Sequence, residues 1–150
     1  MIRNKWRNSV NDLNTFKSFR LRVYAFVVEN AGVKSLIVLN YSDVEAKEAG
    51  EGAVNVRMRW LISKEIGAEN FAMRHIEIDP QGHSPLHSHP WEHEIFVLEG
   101  EGLVTGGADE RRVKEGDFIF IPPNEMHQTR NTSRKTMKLL CMIPYKEKSD

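Results

Sequence analysis

The sequence predicts an all-β sandwich or barrel, on three observations. After residue 53 the chain breaks into short strand-like runs, turn signals recur every 8–12 residues or so, and no long helical period appears. The clearest run is 54–62. Val54, Val56, Met58 and Trp60 fall on one face, and Asn55, Arg57 and Arg59 on the other. That period of two is the signature of a half-buried strand. Further strands are predicted near 70–79, 86–89, 93–99, 102–106, 111–114, 117–121, 126–131 and 136–143. Turns are predicted at Asp79-Pro80-Gln81-Gly82, Gly100-Glu101-Gly102, Gly106-Gly107-Ala108-Asp109, Glu115-Gly116-Asp117, Pro122-Pro123-Asn124 and Asn131-Thr132-Ser133. The absence of strand–helix alternation excludes a βαβ architecture.

The 150 residues suit one domain, which most often runs to about 100–150. Residues 35–150 are expected to form it, opening on an apolar run at 35–40 and a polar stretch at 43–52 read as a helical turn or loop. Residues 1–34 are poorly patterned and carry seven basic groups against two acidic ones, a net of +5 that leaves −5 on the remainder. They are read as an N-terminal extension outside the functional fold. Three other readings stay open: a basic arm for an anionic partner, an organelle-targeting segment, and a strand at 19–28 belonging to the core.

The 21 basic and 21 acidic residues cancel, which argues against a nucleic-acid-binding protein, since a basic surplus supplies most of such affinity. No apolar run approaches the ~20 residues of a membrane span. The single cysteine, Cys141, forbids an internal disulfide and fits a cytoplasmic location. Alternation in the last strand, with Lys138 facing water, sends Leu139, Cys141 and Ile143 inward.

The six histidines are His75, His83, His87, His89, His93 and His127. His87-Ser88-His89 places two imidazoles on one strand face. His93 shares their parity across the Pro90-Trp91 corner, so one hairpin-like segment can converge three rings. The stretch from Gly116 to Asn131 reads strand, tight turn, strand, and returns His127 beside the first segment. Neutral imidazole is a common ligand of first-row divalent metals. These four are the candidate metal ligands. His75 and His83 are read as ordinary surface or hydrogen-bonded residues. Glu92 and Glu94 have the opposite parity and are expected to face solvent or support the shell from outside, while Trp91 has a packing role. No catalytic residue is assigned.

The two segments resemble the paired motifs of the cupin superfamily over about residues 53–144. The first, Gly-x5-His-x-His-x3–4-Glu-x6-Gly, is met by His87, His89, His93 and Gly100. His93 stands where the family usually has glutamate, and Gly82 lies one residue nearer to His87 than the pattern asks. The second, Gly-x5-Pro-x-Gly-x2-His-x3-Asn, is met by Gly116, Pro122, His127 and Asn131, with Asn124 replacing the second glycine. Asn tolerates the left-handed conformation such a turn requires. His87–Gly102 resembles the small manganese cupins that use four histidines.

The resemblance implies a double-stranded β-helix, a small jelly-roll barrel holding one divalent metal ion inside near an open end. Manganese is expected first and iron second, with nickel, copper or zinc as further options. Four neutral ligands leave the shell a net charge of +2, which sharpens Lewis acidity and favours an anionic or enolate-like ligand. An octahedral ion keeps two open positions, suited to a substrate and dioxygen together. A tetrahedral one keeps none and is a closed structural site. The expected function is an oxygenase-type oxidoreductase on a small organic substrate. The alternatives are an isomerase or decarboxylase, or a non-catalytic small-molecule sensor. A homodimer is expected, paired through N-terminal strands and the apolar edge at 35–40.

Overall fold

The computed structural model describes residues 36–145. The N-terminal extension, with its candidate strand at 19–28, therefore lies outside the described residues.

Nine strands form one antiparallel sheet: β1 (Lys47–Glu48), β2 (Val54–Ile62), β3 (Phe71–His83), β4 (His93–Glu99), β5 (Glu101–Gly106), β6 (Asp109–Lys114), β7 (Phe118–Ile121), β8 (His127–Asn131) and β9 (Met137–Pro144). Their order is β6-β5-β8-β3-β9-β4-β7, with β2 and then β1 added on β3. The sheet curls as a half-barrel around one apolar core. The spacing of short strands predicts this all-β architecture, and the family resemblance implies its jelly-roll form. Ile78, Val97, Met137, Leu139 and Cys141 are its most completely buried side chains. They come from β3, β4 and β9, and each sits at an inward position of the period-two alternation.

The strand expected near 86–89 is reduced to a single bridge at His87, and two further features differ. Asp79-Pro80-Gln81-Gly82 is not a turn between strands, because β3 runs through it to His83. Residues 71–78 pair with β9, whereas His83 pairs with Arg130 of β8, so β3 changes partner at this point. The device is a bulge: the β2–β3 register slips between Val54 and Val56, and Asn55 and Gln81 both take positive φ. Gly82 is required there, since a Cβ would lie 2.8 Å from the carbonyl oxygens of Asp79 and Val54. The two slips, the second between Trp60 and Ile62, interrupt the β2 register at either end, while Val56, Met58 and Trp60 stay on one face opposite Ile78, Ile76 and Arg74. Val56 is buried, while Val54 and Trp60 are exposed. The second difference is at 36–40, which forms no strand and leaves Leu36 and Val38 exposed. The polar stretch after it resolves into a 3-10 turn (Tyr41–Asp43) followed by β1.

The outer face of β2 and β3 is covered rather than bare. Arg59 donates to the Val44 carbonyl (3.1 Å) and to Glu77 (2.8 Å), and Tyr41 packs on the His75 ring at 4.6 Å. His75, expected as a surface or hydrogen-bonded residue, is instead buried under this cover with no hydrogen-bond partner for Nδ1, and among the described residues it belongs to no metal cluster.

Asn131, matched only as a motif position in the sequence, has a structural task. Its Nδ2 donates to the carbonyls of Ile78 and Lys135, both at 2.7 Å. Its Oδ1 accepts from the backbone N–H and the hydroxyl of Ser133, at 2.8 and 2.9 Å. One buried amide thus ties β3 to the β8–β9 turn at the end of the barrel. Asn131→Ala orphans two carbonyls and two donors. It should cost about 1–3 kcal/mol, read as a lower midpoint in urea unfolding with an unchanged slope.

Candidate metal centre

Backbone pairing assembles the site. His87 and His127 face each other in an isolated antiparallel bridge, His87 N–H donating to the His127 carbonyl (3.1 Å) and His127 N–H to the His87 carbonyl (2.8 Å). Directly opposed residues send their side chains to one face, and the rings come to 4.4 Å. His89, two residues on, keeps that face. Its carbonyl accepts from Asn124 N–H at 2.8 Å, which fastens the Pro122–Glu125 turn to the first motif. Asn124 has φ 65°, the left-handed value the sequence predicts for it.

His93 reaches the cluster by a different route from the one expected. It opens β4 and pairs with Ile121 of β7. The first three histidines therefore do not come from one hairpin. His87, His89 and His127 descend from the β8 side, and His93 meets them from the β4–β7 wall.

The structure brings all four candidate residues together and leaves His83 apart, bonded through Nδ1 to the Ser84 carbonyl at 2.9 Å. One ligand atom from each of the four lies within 4.8 Å of every other. That spread is close to twice a metal–nitrogen bond of ~2.1 Å, so the cluster could hold one metal ion.

The tautomers support this. Nδ1 of His87, His89 and His127 donates to the carbonyls of Pro85 (2.9 Å), Trp91 (2.9 Å) and Glu125 (2.8 Å). Each bond fixes the proton on Nδ1 and leaves the Nε2 lone pair free. His93 presents Nε2 to His89 Nε2 at 2.5 Å, and its Nδ1 lies 3.1 Å from Cys141 Sγ. With Nε2 free, His93 Nδ1 donates to that sulfur. Arg74 Nη2, 3.2 Å from the same nitrogen, donates to Sγ at 2.9 Å. Trp91 stacks on His89 at 4.3 Å and holds that ring in place.

Burial favours the neutral form of three of the rings, His89, His93 and His127. His93 is pushed down to about 3, by desolvation first and then by the Arg74 guanidinium and the other histidines. Burial also lowers His89 and His127. Cys141 faces inward against His93, as strand alternation predicts, and burial pushes its thiol up.

Arg74 is the residue that the motif search misses. It lies upstream of both motifs, and its only sequence signal is that it shares the alternation of Ala72, Ile76 and Ile78, which makes it an inward position on a strand.

A metal-ready imidazole cluster inside a curled antiparallel jelly roll defines a class, the small metal-site β-barrels. A signature described as the cupin domain matches residues 74–143. The chain is 32% identical over 96 residues to the oxalate-binding protein of Thermotoga maritima, covering 61% of this chain and 78% of that one. The polyketide cyclase RemF from Streptomyces resistomycificus has a similar structure, with a TM-score of 0.69 and 34% identity over 73% of this chain and 80% of that one. The chain belongs to the cupin family. It is also 32% identical over 71 residues to 1-methylthio-D-xylulose 5-phosphate methylsulfurylase of Rhodospirillum rubrum, across 47% of this chain. The chain spans about half the length of the first curated relatives it matches, 46% for the methylsulfurylase.

His87→Ala and His127→Ala should each lose most of the bound metal, measured by elemental analysis after dialysis; wild-type stoichiometry in both would refute the site. Wild-type protein held against a chelator should release metal as pH falls, because protons compete for the same lone pairs. Protonation of His89, His93 and His127 is already disfavoured in the fold, so release should fall below the ~6.5 of a free imidazole. In metal-free protein the same groups bind protons more readily when unfolded. Stability should therefore rise with pH between about 3 and 6.5 and be lost on acidification through that window.

Proposed function

We propose that this cupin holds one divalent metal ion on His87, His89, His93 and His127 and acts with it on a small organic molecule bound in the barrel. The observation that carries this reading is the set of three Nδ1–H···O=C bonds. They aim three Nε2 lone pairs at one point, where His93 supplies the fourth. Manganese remains the first expectation and iron the second. A cavity of about 210 Å³ adjoins the cluster and is lined by His87, His93 and His127 together with Met58, Ile76 and Ile95. That volume suits a molecule below drug size.

When bound, the ion supplies Lewis acidity towards a substrate oxygen or water. The chain's own contribution is positional. The carbonyl-bonded rings keep their orientation, the apolar walls limit water, and no carboxylate of the shell offsets the cationic charge. Two reaction classes fit. The names of the relatives, a cyclase and a methylsulfurylase, favour polarisation of a substrate carbonyl, as in an isomerase, lyase or decarboxylase. The oxygenase-type reading is the second, and a sensor without turnover is the third. Cytoplasmic residence is part of the proposal and rests on the single unpaired Cys141.

We also place a homodimer in this reading. Phe118 and Phe120 of β7 are 83% and 61% exposed, and Phe96, opposite Phe118 on β4, is 43% exposed. Together they make an apolar strip at the sheet edge of the kind that proteins tend to cover.

The discriminating experiment follows dissolved oxygen and product mass with manganese-loaded protein and a panel of small keto and hydroxy acids. Turnover at constant oxygen is the expected outcome, and oxygen uptake in step with substrate loss would install the oxygenase reading. Sedimentation at micromolar concentration should give a dimer, and a clean monomer would remove that part.

A further inference from the structure

We infer that Arg74 is the charged anchor of a carboxylate-binding subsite in the barrel cavity, so that the small molecule taken there is an organic anion with a short apolar body. The inference rests in part on the metal reading above, and its test is chosen to fail separately.

Arg74 sits in an inward row across the sheet, between Trp60 of β2 and Cys141 of β9, with Ile95 of β4 beyond. It lines the same cavity as His87, His93 and His127, and the rest of that lining is almost wholly apolar. Among the described residues no Asp or Glu lines the cavity, and none forms an ion pair with Arg74. A guanidinium cannot shed its proton, so the charge persists at any working pH. Arg74 is half-buried with its Nε fully enclosed, and a cation partly withdrawn from water without a counter-charge is costly, a cost that an anionic ligand would offset. A dication on four neutral imidazoles would leave the cavity with three positive charges and no negative one.

The donors are poised for a ligand. Of the guanidinium's nitrogens, Nη2 donates to Cys141 Sγ and lies beside His93 Nδ1 at 3.2 Å. Nε is buried and has no partner. The group lies over the Trp60 ring at 5.5 Å, which limits its swing. A planar fork held in this way suits the two oxygens of a carboxylate. Phosphate would present the same chemistry, but the cavity offers only the hydroxyls of Ser84 and Thr129 for its further oxygens. Met58, Ile76 and Leu139 offer a surface for hydrocarbon instead.

The test is calorimetric titration of full-length protein, metal-free and manganese-loaded, with malonate, malonamide and inorganic phosphate as probes, and with metal content measured separately. Wild-type protein should bind malonate and not malonamide. Arg74→Gln should weaken malonate by about 10–100-fold, the usual worth of a charge-assisted pair, while metal content stays unchanged. Arg74→Lys, which keeps the charge and loses the fork, should fall between the two and guards against misfolding of the glutamine variant. If wild-type protein takes up no metal but malonate binding is still lost in Arg74→Gln, the metal reading fails and the subsite stands. Equal malonate affinity in wild type and Arg74→Gln would overturn the inference. So would phosphate binding in preference to malonate, or the absence of malonate binding in both metal states.

Discussion

The paired backbone bonds between His87 and His127 hold the account together. Among the described residues they are the one bridge that the His87–His89 segment makes, and they fix two distant stretches of chain in one register. Slipping that register by one residue would turn one imidazole to the opposite face. The neighbouring bonds, from Asn124 N–H to His89 and from Ser84 N–H to Thr129, extend the seam on either side. With the seam in place, ring positions follow from strand geometry, and tautomers follow from the carbonyls that each Nδ1 meets.

Electrostatics then separates the two faces of the sheet. Outside, charges are paired, some under cover like Arg59 with Glu77 and some half-solvated like Lys138 with Glu99, where water screens what remains unmatched. Inside, polar groups are few and nearly all carry or accept positive charge: four imidazoles, one guanidinium and one thiol. Burial strengthens each interaction there and penalises the protonated forms of His89, His93 and His127. The interior is thus built to receive a cation on nitrogen lone pairs and negative charge beside it.

Much of this was legible in the sequence, because period-two alternation and histidine spacing report directly on which face a side chain takes. The strands from 93 onward fall within a few residues of their predicted positions, and the inward turn of Cys141 follows from Lys138 facing out. What was not legible depends on long-range pairing. Asp79-Pro80-Gln81-Gly82 has the composition of a turn, yet the chain uses it as a bulge within a strand that serves two partners. His93 reads as the third member of a hairpin, yet its partners lie on β7 and β9. Arg74 carries no motif, and its significance appears only when Cys141 and His93 are brought against it from sequence positions far downstream.

The central claim is a metal ion held on four imidazoles, and elemental analysis of the full-length protein purified without added metal tests it most directly. The account predicts close to one equivalent of a first-row divalent metal per chain, with all four histidines visible as nitrogen ligands in its X-ray absorption spectrum. Protein that is metal-free as isolated and takes up no ion on reconstitution at neutral pH would contradict it.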